Sequence, residues 1–323
     1  RNCAELVPAY SFNSRRLISM FDSQIPRRNF LVAASCSLAS ASLANTDSTA
    51  AESSGKNSIC IFTKPFQSLT YDELADRIAE LGFDGVEAPI RDGGHIEPAA
   101  VPDELPKMVE ALRKRNLELT VMTSSINDPN DPRTEKVLKT ASELGVRRYR
   151  MKYFKYDFSQ PILKQLGEWR PQFKDLAAMN KEFGITAVYQ NHAGRNYLGA
   201  PIWDLRRLLD GIAVNEIGVA YDIRHATVEA GMSWPVTYHM IRPHIDTVYV
   251  KDFVWNDGVK PVNVPLGEGR IDDDFFKMLK NSGFNGPISL HEEYLDHRKP
   301  ELVPEHLAAI KQDFATLKKF LGQ

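Results

Sequence analysis

The sequence predicts an α/β protein built as a single (β/α)8 (TIM) barrel, preceded by an export signal and a polar linker. From residue 58 onward, short apolar segments alternate eight times with segments of helical periodicity. Strands that lie between helices and are apolar throughout are typical of parallel sheets. Eight such units in about 265 residues match a (β/α)8 barrel. A doubly wound open sheet is the alternative, but no glycine-rich phosphate loop follows the first strand, which argues against it.

The composition excludes several classes of protein. The 323 residues are 43% hydrophobic and 25% charged, with a formal net charge of −2, which is ordinary for a folded domain. The mean hydropathy is −0.34, and no apolar run reaches the ~18 residues that a membrane span needs. Forty basic and forty-two acidic side chains leave no overall positive field for nucleic acid. Three cysteines cannot form a disulfide framework.

Residues 1–44 have the layout of an export signal. Arg27 and Arg28 precede an apolar stretch of Ala, Ser, Leu and Val, and Ser42-Leu43-Ala44 supplies small residues for cleavage. The arginine pair resembles the twin-arginine signal, which predicts an exported, periplasmic protein. A polar tail with a chance arginine pair is the alternative.

The predicted boundaries are a signal at 1–44, a polar linker at 45–57 and the barrel at 58–323. The sequence begins with Arg1, so we expect Met20 to be the translation start. Residues 1–44 hold five arginines and two acidic residues, and removing this net +3 takes the formal charge from −2 to −5. A strongly positive site in the remainder must therefore be local.

The predicted strands are apolar runs, and the helices between them have recognisable ends. Thr70 and Glu73 form a capping box at the first helix, Pro102 opens the second, and Gly82 and Gly184 end helices just before strands. We expect strands at 59–63, 85–90, 117–124, 149–154, 186–192, 217–223, 247–253 and 287–293. Later helices are expected at about 134–144, 158–183, 201–210, 226–241, 272–282 and 303–321.

Polar side chains lie at the carboxyl ends of six predicted strands, where the active sites of such barrels form. Side chains alternate between faces along a strand, so residues two apart share a face. The groups that share a face, with the polar residues next to them, are Glu87; Arg150 with Lys152; Gln190 with His192; Asp222 with Arg224, followed by His225; Tyr249 with Lys251; and His291 with Glu293. One such residue alone is more often solvated. Six groups predict one cup in which His291 and Asp222 lie within a substrate's length.

Several short motifs occur in an order that belongs to a known family. They are Glu80-Leu-Gly-Phe-Asp-Gly-Val-Glu87, Gln190-Asn-His192, Asp222 with His225, Val250-Lys-Asp252, Leu266-Gly-Glu-Gly269 and Gly286-Pro-Ile-Ser-Leu290. With these motifs, residues 58–321 resemble the xylose isomerase-like barrel superfamily, the sugar phosphate isomerase/epimerase group. The resemblance implies a barrel that acts on small sugars, polyols or their keto or acid derivatives. It also implies one divalent metal, held by a Glu, an Asp, a His and a Glu on strands five to eight.

The chain departs from that metal pattern at three of four positions. Gln190, Tyr249 and His291 stand where the family has Glu, His and Glu, and only Asp222 matches. Amide and phenol groups are weak ligands for divalent cations, so we expect no metal at the usual site. The alternative is a rebuilt site of Asp222, His291 and Glu293, with His192 as a further donor, for Mn²⁺, Zn²⁺ or Mg²⁺.

The cationic residues near the strand ends offer a replacement for the metal. This local positive charge would hold a carboxylate, a phosphate or an enediolate-like intermediate. The alternative is that these cations pair with nearby carboxylates in a structural network. The catalytic candidates are His291, Glu293 and Glu87 as bases and Tyr249 as a proton donor. The candidates for substrate binding are Arg150, Lys152, Gln190, His192, His225, Lys251, Glu268 and Trp255, with Lys64, Lys155 and Arg224 near the strand ends.

The predicted function is the movement of a proton beside a carbonyl of a small carbohydrate or sugar acid, as in isomerases and epimerases. A lyase or hydrolase acting on an oxidised sugar would use the same first step. A sugar-binding barrel without catalysis is the alternative from another class. Abasic-site endonucleases share this barrel, but they use several metals on many His and Glu ligands. The altered ligands and the acidic charge balance of this chain argue against that function. We expect a small-molecule partner, with a homo-oligomer left open.

Overall fold

In a computed structural model of the chain, residues 56–258 and 260–323 are described, and the predicted signal and almost all of the predicted linker lie outside them. These residues form a closed parallel barrel of eight strands and a separate two-stranded hairpin. In chain order the strands are β1 (Ile59–Phe62), β2 (Gly85–Ile90), β3 (Glu118–Ser124), β4 (Arg148–Arg150), β5 (Thr186–Gln190), β6 (Ile217–Asp222), β7 (Ile245–Val250), β8 (Asp252–Asn256), β9 (Lys260–Val264) and β10 (Ile288–Leu290). Strands β8 and β9 form the hairpin, and the other eight close the barrel in the order β1-β10-β7-β6-β5-β4-β3-β2. The predicted barrel is confirmed.

Helices follow the barrel strands as predicted, with one division that the sequence pattern did not show. They are α1 (Tyr71–Leu81), α2 (Val101–Arg113), α3 (Pro132–Glu143), α4 (Ile162–Phe183), α5 (Trp203–Leu208), α6 (Ile223–Ala230), α7 (Trp234–Ile241), α8 (Asp273–Asn281) and α9 (Val303–Leu321). The helix predicted at 226–241 is two helices, because Gly231 adopts φ +53° and ψ −128° between them. Helix α6 also begins earlier than predicted, directly after Asp222, whose carboxylate caps it by accepting the His225 N–H at 3.0 Å.

Local sequence signals at the first helix are present in the structure. The Thr70 hydroxyl accepts the Glu73 N–H, and the Glu73 carboxylate accepts the Thr70 N–H. Gly82 ends α1 with φ +83°, a conformation that only glycine adopts readily. These signals fix the direction in which the chain enters β2 and therefore where Glu87 stands.

Two separate apolar layers hold the barrel together. A large cluster fills the space between the strands and the surrounding helices. A smaller one, made of Val121, Val188, Ala220 and Tyr249, fills the interior of the barrel. Since β4, β5 and β10 end at Arg150, Gln190 and Leu290, the polar residues at and beyond these ends stand above the inner layer as a cup. Over the ranges described above, no helix combines the length and apolarity that crossing a membrane requires.

Candidate active site

The deepest part of the cup is a carboxylate–imidazole pair that joins β2 to the end of β10. Glu87 is fully buried, and its Oε2 lies 2.9 Å from His291 Nε2. The same carboxylate accepts the Thr123 hydroxyl at 2.6 Å and the Ser289 hydroxyl at 2.7 Å. Arg150 Nε lies 3.9 Å from it. Burial opposes its ionisation, but His291, Arg150 and Thr123 outweigh burial and lower the pKa of Glu87 to about 2.

This contact fixes which nitrogen of His291 is free. An ionised carboxylate only accepts hydrogen bonds, so Nε2 carries a proton, and the position at which the ring can accept a further proton is Nδ1. Nδ1 is buried and has no hydrogen-bond partner among the described residues. The ring is held between Phe62, stacked at 4.7 Å between centroids, and Tyr249 at 4.5 Å. The imidazole is therefore oriented as a proton acceptor through Nδ1.

A lysine links the other two acidic residues of the cup. Lys251 Nζ lies 3.2 Å from Asp222 Oδ2 and 2.7 Å from Glu293 Oε2. Burial opposes its charge, but Asp222 and Glu293 outweigh burial and raise the pKa of Lys251. Lys251 and His291 in turn lower the pKa of both carboxylates against the effect of burial. All three groups are therefore charged at neutral pH.

The wall formed by β4 and β5 is held by amide and phenol contacts. Gln190 Nε2 donates to Asp222 Oδ2 at 2.8 Å, and its Oε1 accepts from Arg150 at 3.3 Å and from the Tyr153 hydroxyl. The Arg150 guanidinium also lies over the Tyr153 ring, 4.8 Å from its centroid. Burial raises the pKa of Tyr153 to about 12, so the phenol keeps its proton. This wall presents donors rather than free carboxylates.

Two neutral imidazoles stand beside Asp222. The rings of His192 and His225 are 4.0 Å apart between centroids, and Tyr197 stacks on His192 at 4.8 Å. Burial, followed by the charge of Lys251, lowers the pKa of His192 to about 4 and the pKa of His225 well below its ordinary value. His225 Nε2 is buried without a hydrogen-bond partner in the part of the chain that the structure describes. These two rings and Tyr197 therefore form an aromatic cluster beside Asp222 in which both imidazoles are uncharged at neutral pH.

The predicted cup brings most of the candidate residues together, but not all of them. Lys152 is exposed and lies near Asp131, which caps α3 and whose pKa is lowered mainly by Arg133 and to a smaller extent by Lys152. Strand β4 ends at Arg150, so the alternation that placed Lys152 in the cup does not continue. Lys155 is exposed too, with its ammonium 4.7 Å from the Tyr197 ring centroid.

Three further candidates lie in the cup floor or outside the cup. Tyr249, predicted as a proton donor, belongs to the inner layer under His291; its pKa is raised well above the ordinary value by burial and then by Glu87. Glu268 is exposed and acts electrostatically on Tyr294 and Asp313 on the outer side of the barrel. Trp255 is half-buried on β8 and packs edge-on against Phe253.

The residues of the cup do not fit the divalent metal that the family resemblance implies. Asp222, which keeps the family identity, is bound by the Gln190 amide and the Lys251 ammonium, and both are donors that repel a cation. The rebuilt set of Asp222, His291 and Glu293 is divided in the same way, because His291 binds Glu87 and Glu293 binds Lys251. Over residues 56–258 and 260–323, no group of three or more His, Cys, Asp or Glu side chains is arranged to hold a metal.

Sequence reasoning missed several members of the cup. Ser289 lies two residues before His291 and shares its face, so the alternation of side chains along a strand (the parity rule) could have found it. Arg91 directly follows the last residue of β2, where a rim position is expected. Thr123 and Tyr153 carried no signal of charge, and only the closed barrel shows that they hold Glu87 and Gln190.

Similar solved structures include several sugar epimerases. A 3-keto-D-glucoside 4-epimerase from E. coli is 17% identical with a TM-score of 0.61, and the match covers 82% of this chain and 100% of that chain. For a D-psicose 3-epimerase from Clostridium cellulolyticum H10 the values are 12%, 0.60, 82% and 99%. For an L-ribulose 3-epimerase they are 15%, 0.63, 83% and 95%.

At these identities, the likeness shows a shared fold. A search of curated proteins gave no match. A family model described as xylose isomerase-like TIM barrel matches residues 75–319. The chain therefore belongs to the xylose isomerase-like TIM barrel family.

Proposed function

We propose that this protein moves a proton beside a carbonyl of a small carbohydrate or sugar acid, as an isomerase or epimerase. The observation that carries the proposal is His291, whose Nε2 is bound to ionised Glu87 while its buried Nδ1 has no partner in the described structure. Several proteins with similar folds are sugar epimerases, which supports the same class of reaction.

In the proposed mechanism, the Glu87–His291 pair moves the proton and the cations of the cup stabilise the charge that develops on the substrate. His291 Nδ1 removes the proton from the carbon next to the carbonyl, and Glu87 stabilises the imidazolium that forms. The electron pair of the broken C–H bond moves to the carbonyl oxygen, and the oxyanion is stabilised by Lys251 and Arg150. Protonation of the same carbon from the opposite face by water, while His291 releases the first proton to solvent, gives an epimer. Return of the proton by His291 to the former carbonyl carbon, with the hydroxyl proton of the deprotonated carbon passing to the former carbonyl oxygen, gives an isomer.

Exchange of substrate protons in D₂O tests this function directly. The purified protein is incubated with ketoses, aldoses and sugar acids, and deuterium incorporation is followed by NMR. We expect exchange beside the carbonyl, and a fall of about 10²-fold or more in His291→Gln, the typical contribution of a general base. His239→Gln, which changes an exposed histidine of α7, is the matched control and should exchange like the wild type.

The other outcomes identify the alternatives. Sugar binding without exchange in the wild type would overturn the proposal and favour a non-catalytic barrel. Exchange that persists in His291→Gln would remove His291 from the role of base. An unsaturated or cleaved product would indicate a lyase or hydrolase that shares the first step.

We also propose that this reaction needs no bound metal. The Lys251 ammonium and the Gln190 amide already bind the carboxylate oxygen of Asp222 that a metal would need. Treatment with EDTA should therefore leave the exchange rate within about twofold of its initial value. Loss of exchange that added Mn²⁺ restores would contradict the proposal.

For the localisation, we propose export through the twin-arginine route, on the basis of Arg27 and Arg28 in the sequence. Residues 20–57 fused to a folded reporter should direct it to the periplasm. Replacement of both arginines by lysine should keep the reporter inside the cell, and unchanged export would contradict the proposal.

A further inference from the structure

Arg224 is a buried cation that forms no ion pair with any residue that the structure describes. It is 9% exposed and stands in the first turn of α6, two residues after Asp222. Its NH1 lies 3.1 Å from His225 Nδ1, and its guanidinium lies 5.4 Å from the Phe253 ring centroid. Its Nε is buried without a hydrogen-bond partner among the described residues.

The nearest carboxylates are engaged elsewhere. Asp222 and Glu293 both bind Lys251, and within residues 56–258 and 260–323 neither forms an ion pair with Arg224. Burial of an unpaired guanidinium is costly. The neutral His225 and the Phe253 ring compensate only partly, so the structure leaves this charge available to a ligand.

Arg224 belongs to a positive segment of the barrel rim. Going round the barrel, β6, β7, β10, β1 and β2 are consecutive neighbours. Arg224, Lys251, Lys64 and Arg91 follow β6, β7, β1 and β2, and we call these four residues the rim arc. Arg91 and Lys251 both lower the pKa of Lys64, after the larger effect of burial, and Glu293 acts on both Lys64 and Arg224.

The rim arc carries more positive charge than its carboxylates neutralise. Asp222, Glu293 and Glu87 face these four cations, and Glu87 is already bound to His291. Glu293 is already bound to Lys251, and Lys64 Nζ lies 3.8 Å from its other oxygen. In the described part of the chain, Arg91 and Arg224 form no ion pair. His192 and His225 are neutral and do not change this balance.

We propose that the rim arc binds the anionic group, a carboxylate or a phosphate, of the sugar derivative on which the cup acts, and that Arg224 determines this specificity. The planar fork of an arginine matches two oxygens of either group. An anion bound there would place the remainder of the substrate over His291, on the same side of the barrel. This inference rests on the proposed function, because it names the substrate class of the same site.

Calorimetric titration of the full chain tests the proposal. The probes are D-galacturonate and D-glucose 6-phosphate, with D-galactose as the neutral comparison. A His291→Gln background prevents turnover, so binding is measured separately from exchange. We expect the anionic probes to bind at least about tenfold more tightly than D-galactose, with the advantage reduced by salt.

The variants separate an anion site from a packing residue. Arg224→Met should remove most of this advantage while leaving D-galactose binding unchanged, and Arg224→Lys should retain part of it. Arg195→Met is the matched control, because Arg195 also lies over an aromatic ring, at 5.7 Å from the Phe158 centroid, but stands outside the rim arc. We expect this variant to bind all three probes like its parent. Urea denaturation should show that Arg224→Met is as stable as its parent, or more stable.

Equal or absent binding of the anionic probes would overturn the proposal, as would an advantage that survives in Arg224→Met. A greater advantage for D-galacturonate would identify a carboxylate, and a greater one for D-glucose 6-phosphate would identify a phosphate. If the anionic probes bind as expected while the wild-type protein shows no exchange, the proposed function fails and the anion site stands. If exchange occurs without a preference for anions, only the anion site fails.

Discussion

Glu87 remains ionised although its side chain is completely buried. Burial alone would raise its pKa, but His291, Arg150 and Thr123 bring the pKa down to about 2. Lys251 does the same for Asp222 and Glu293, against the same effect of burial. The cup therefore holds fixed charges at neutral pH, and such charges need no reorganisation when charge develops on a substrate.

Replacement of Lys251 should expose how strongly the two carboxylates depend on it. Lys251→Met leaves Asp222 and Glu293 buried without their shared cation, so we expect a loss of about 3–5 kcal/mol in the free energy of unfolding. Urea denaturation measures this loss. The triple variant with Asp222→Asn and Glu293→Gln should recover most of the stability without recovering exchange.

Lys155→Met is the control for this series, because Lys155 is an exposed lysine at the same end of the barrel. Its loss should cost less than about 0.5 kcal/mol. A Lys251→Met protein as stable as the wild type would show that Lys251 does not stabilise the carboxylates.

His192 should make the fold less stable in mild acid. Its pKa is lowered from the ordinary 6.5 to about 4, so between these values the unfolded chain binds a proton that the folded chain does not. Stability therefore falls as the pH falls from about 6.5 to about 4. His192→Gln should lose less stability than the wild type between pH 7 and pH 5, by on the order of 1 kcal/mol after allowance for partial exposure.

Urea denaturation at the two pH values gives the difference between the variant and the wild type, and this difference cancels the contribution of groups that do not interact with His192. His239→Gln, which changes an exposed histidine of α7, is the matched control. An unchanged pH dependence in His192→Gln would mean that His192 is not held neutral by the fold.

One carboxylate just outside the cup anchors a whole loop segment. Asp252, the residue after Lys251, is buried and accepts five backbone N–H groups, those of Phe253, Gly267, Gly269, Arg270 and Ile271, at 2.7–3.0 Å. It ties β8 to the segment 265–271. Since Phe253 supports Arg224, the anchor also shapes the rim.

The hydrogen bonds of Asp252 should be weakened when its charge is removed or when a side chain is added at Gly269. Asp252→Asn replaces an acceptor oxygen by a donor and should cost about 2–3 kcal/mol. Gly269→Ala should have a similar effect, because its Cβ would lie 2.3 Å from Asp252 Oδ1 and from the Phe253 carbonyl oxygen. Limited proteolysis should cleave the segment 256–268 faster in both variants.

Asp296→Asn is the control, since Asp296 pairs with the exposed Arg298 and should leave the cleavage rate unchanged. Wild-type rates in Asp252→Asn would show that the anchor is dispensable.

The parity rule succeeded where a polar residue directly continues a strand and failed where a loop intervenes. Lys251, His291 and Glu293 follow their strands closely, and all three reach the cup. Lys152 does not, because β4 stops at Arg150. Glu268 was a candidate from a loop and not from strand alternation, and it stays outside the cup because Asp252 binds the backbone of that loop. The hairpin of β8 and β9 was missed since no residue of Lys260–Val264 is buried and the segment resembles a polar loop.

At the scale of the whole molecule, the barrel is closed by its first strand. Residues of β1 pair on one side with β10 and on the other with β2, so that Ile61 is opposite both Leu290 and Val86. The order of strands and helices predicted the closed barrel. The contact between Glu87 and His291 was not predicted, because the stagger of the strands at closure decides which residues meet.

Removal of β1 should therefore have a far larger effect than removal of the segment before it. A chain that starts at residue 56 retains every barrel strand and should unfold cooperatively at the same temperature as the full chain. A chain that starts at residue 64 leaves β2 and β10 with unpaired edges and should show no cooperative transition. Circular dichroism during heating measures both, and cooperative unfolding of the shorter chain would contradict the role given to β1.

The pair formed by Glu87 and His291 joins positions that are 204 residues apart in the chain. Its two halves are made at opposite ends of synthesis, so a nascent polypeptide still lacking β10 has the carboxylate without its imidazole. After dilution from denaturant, the recovery of catalysed substrate exchange in D₂O would then report the last step of folding. A compact intermediate in which β10 has not yet paired with β1 would not catalyse this exchange.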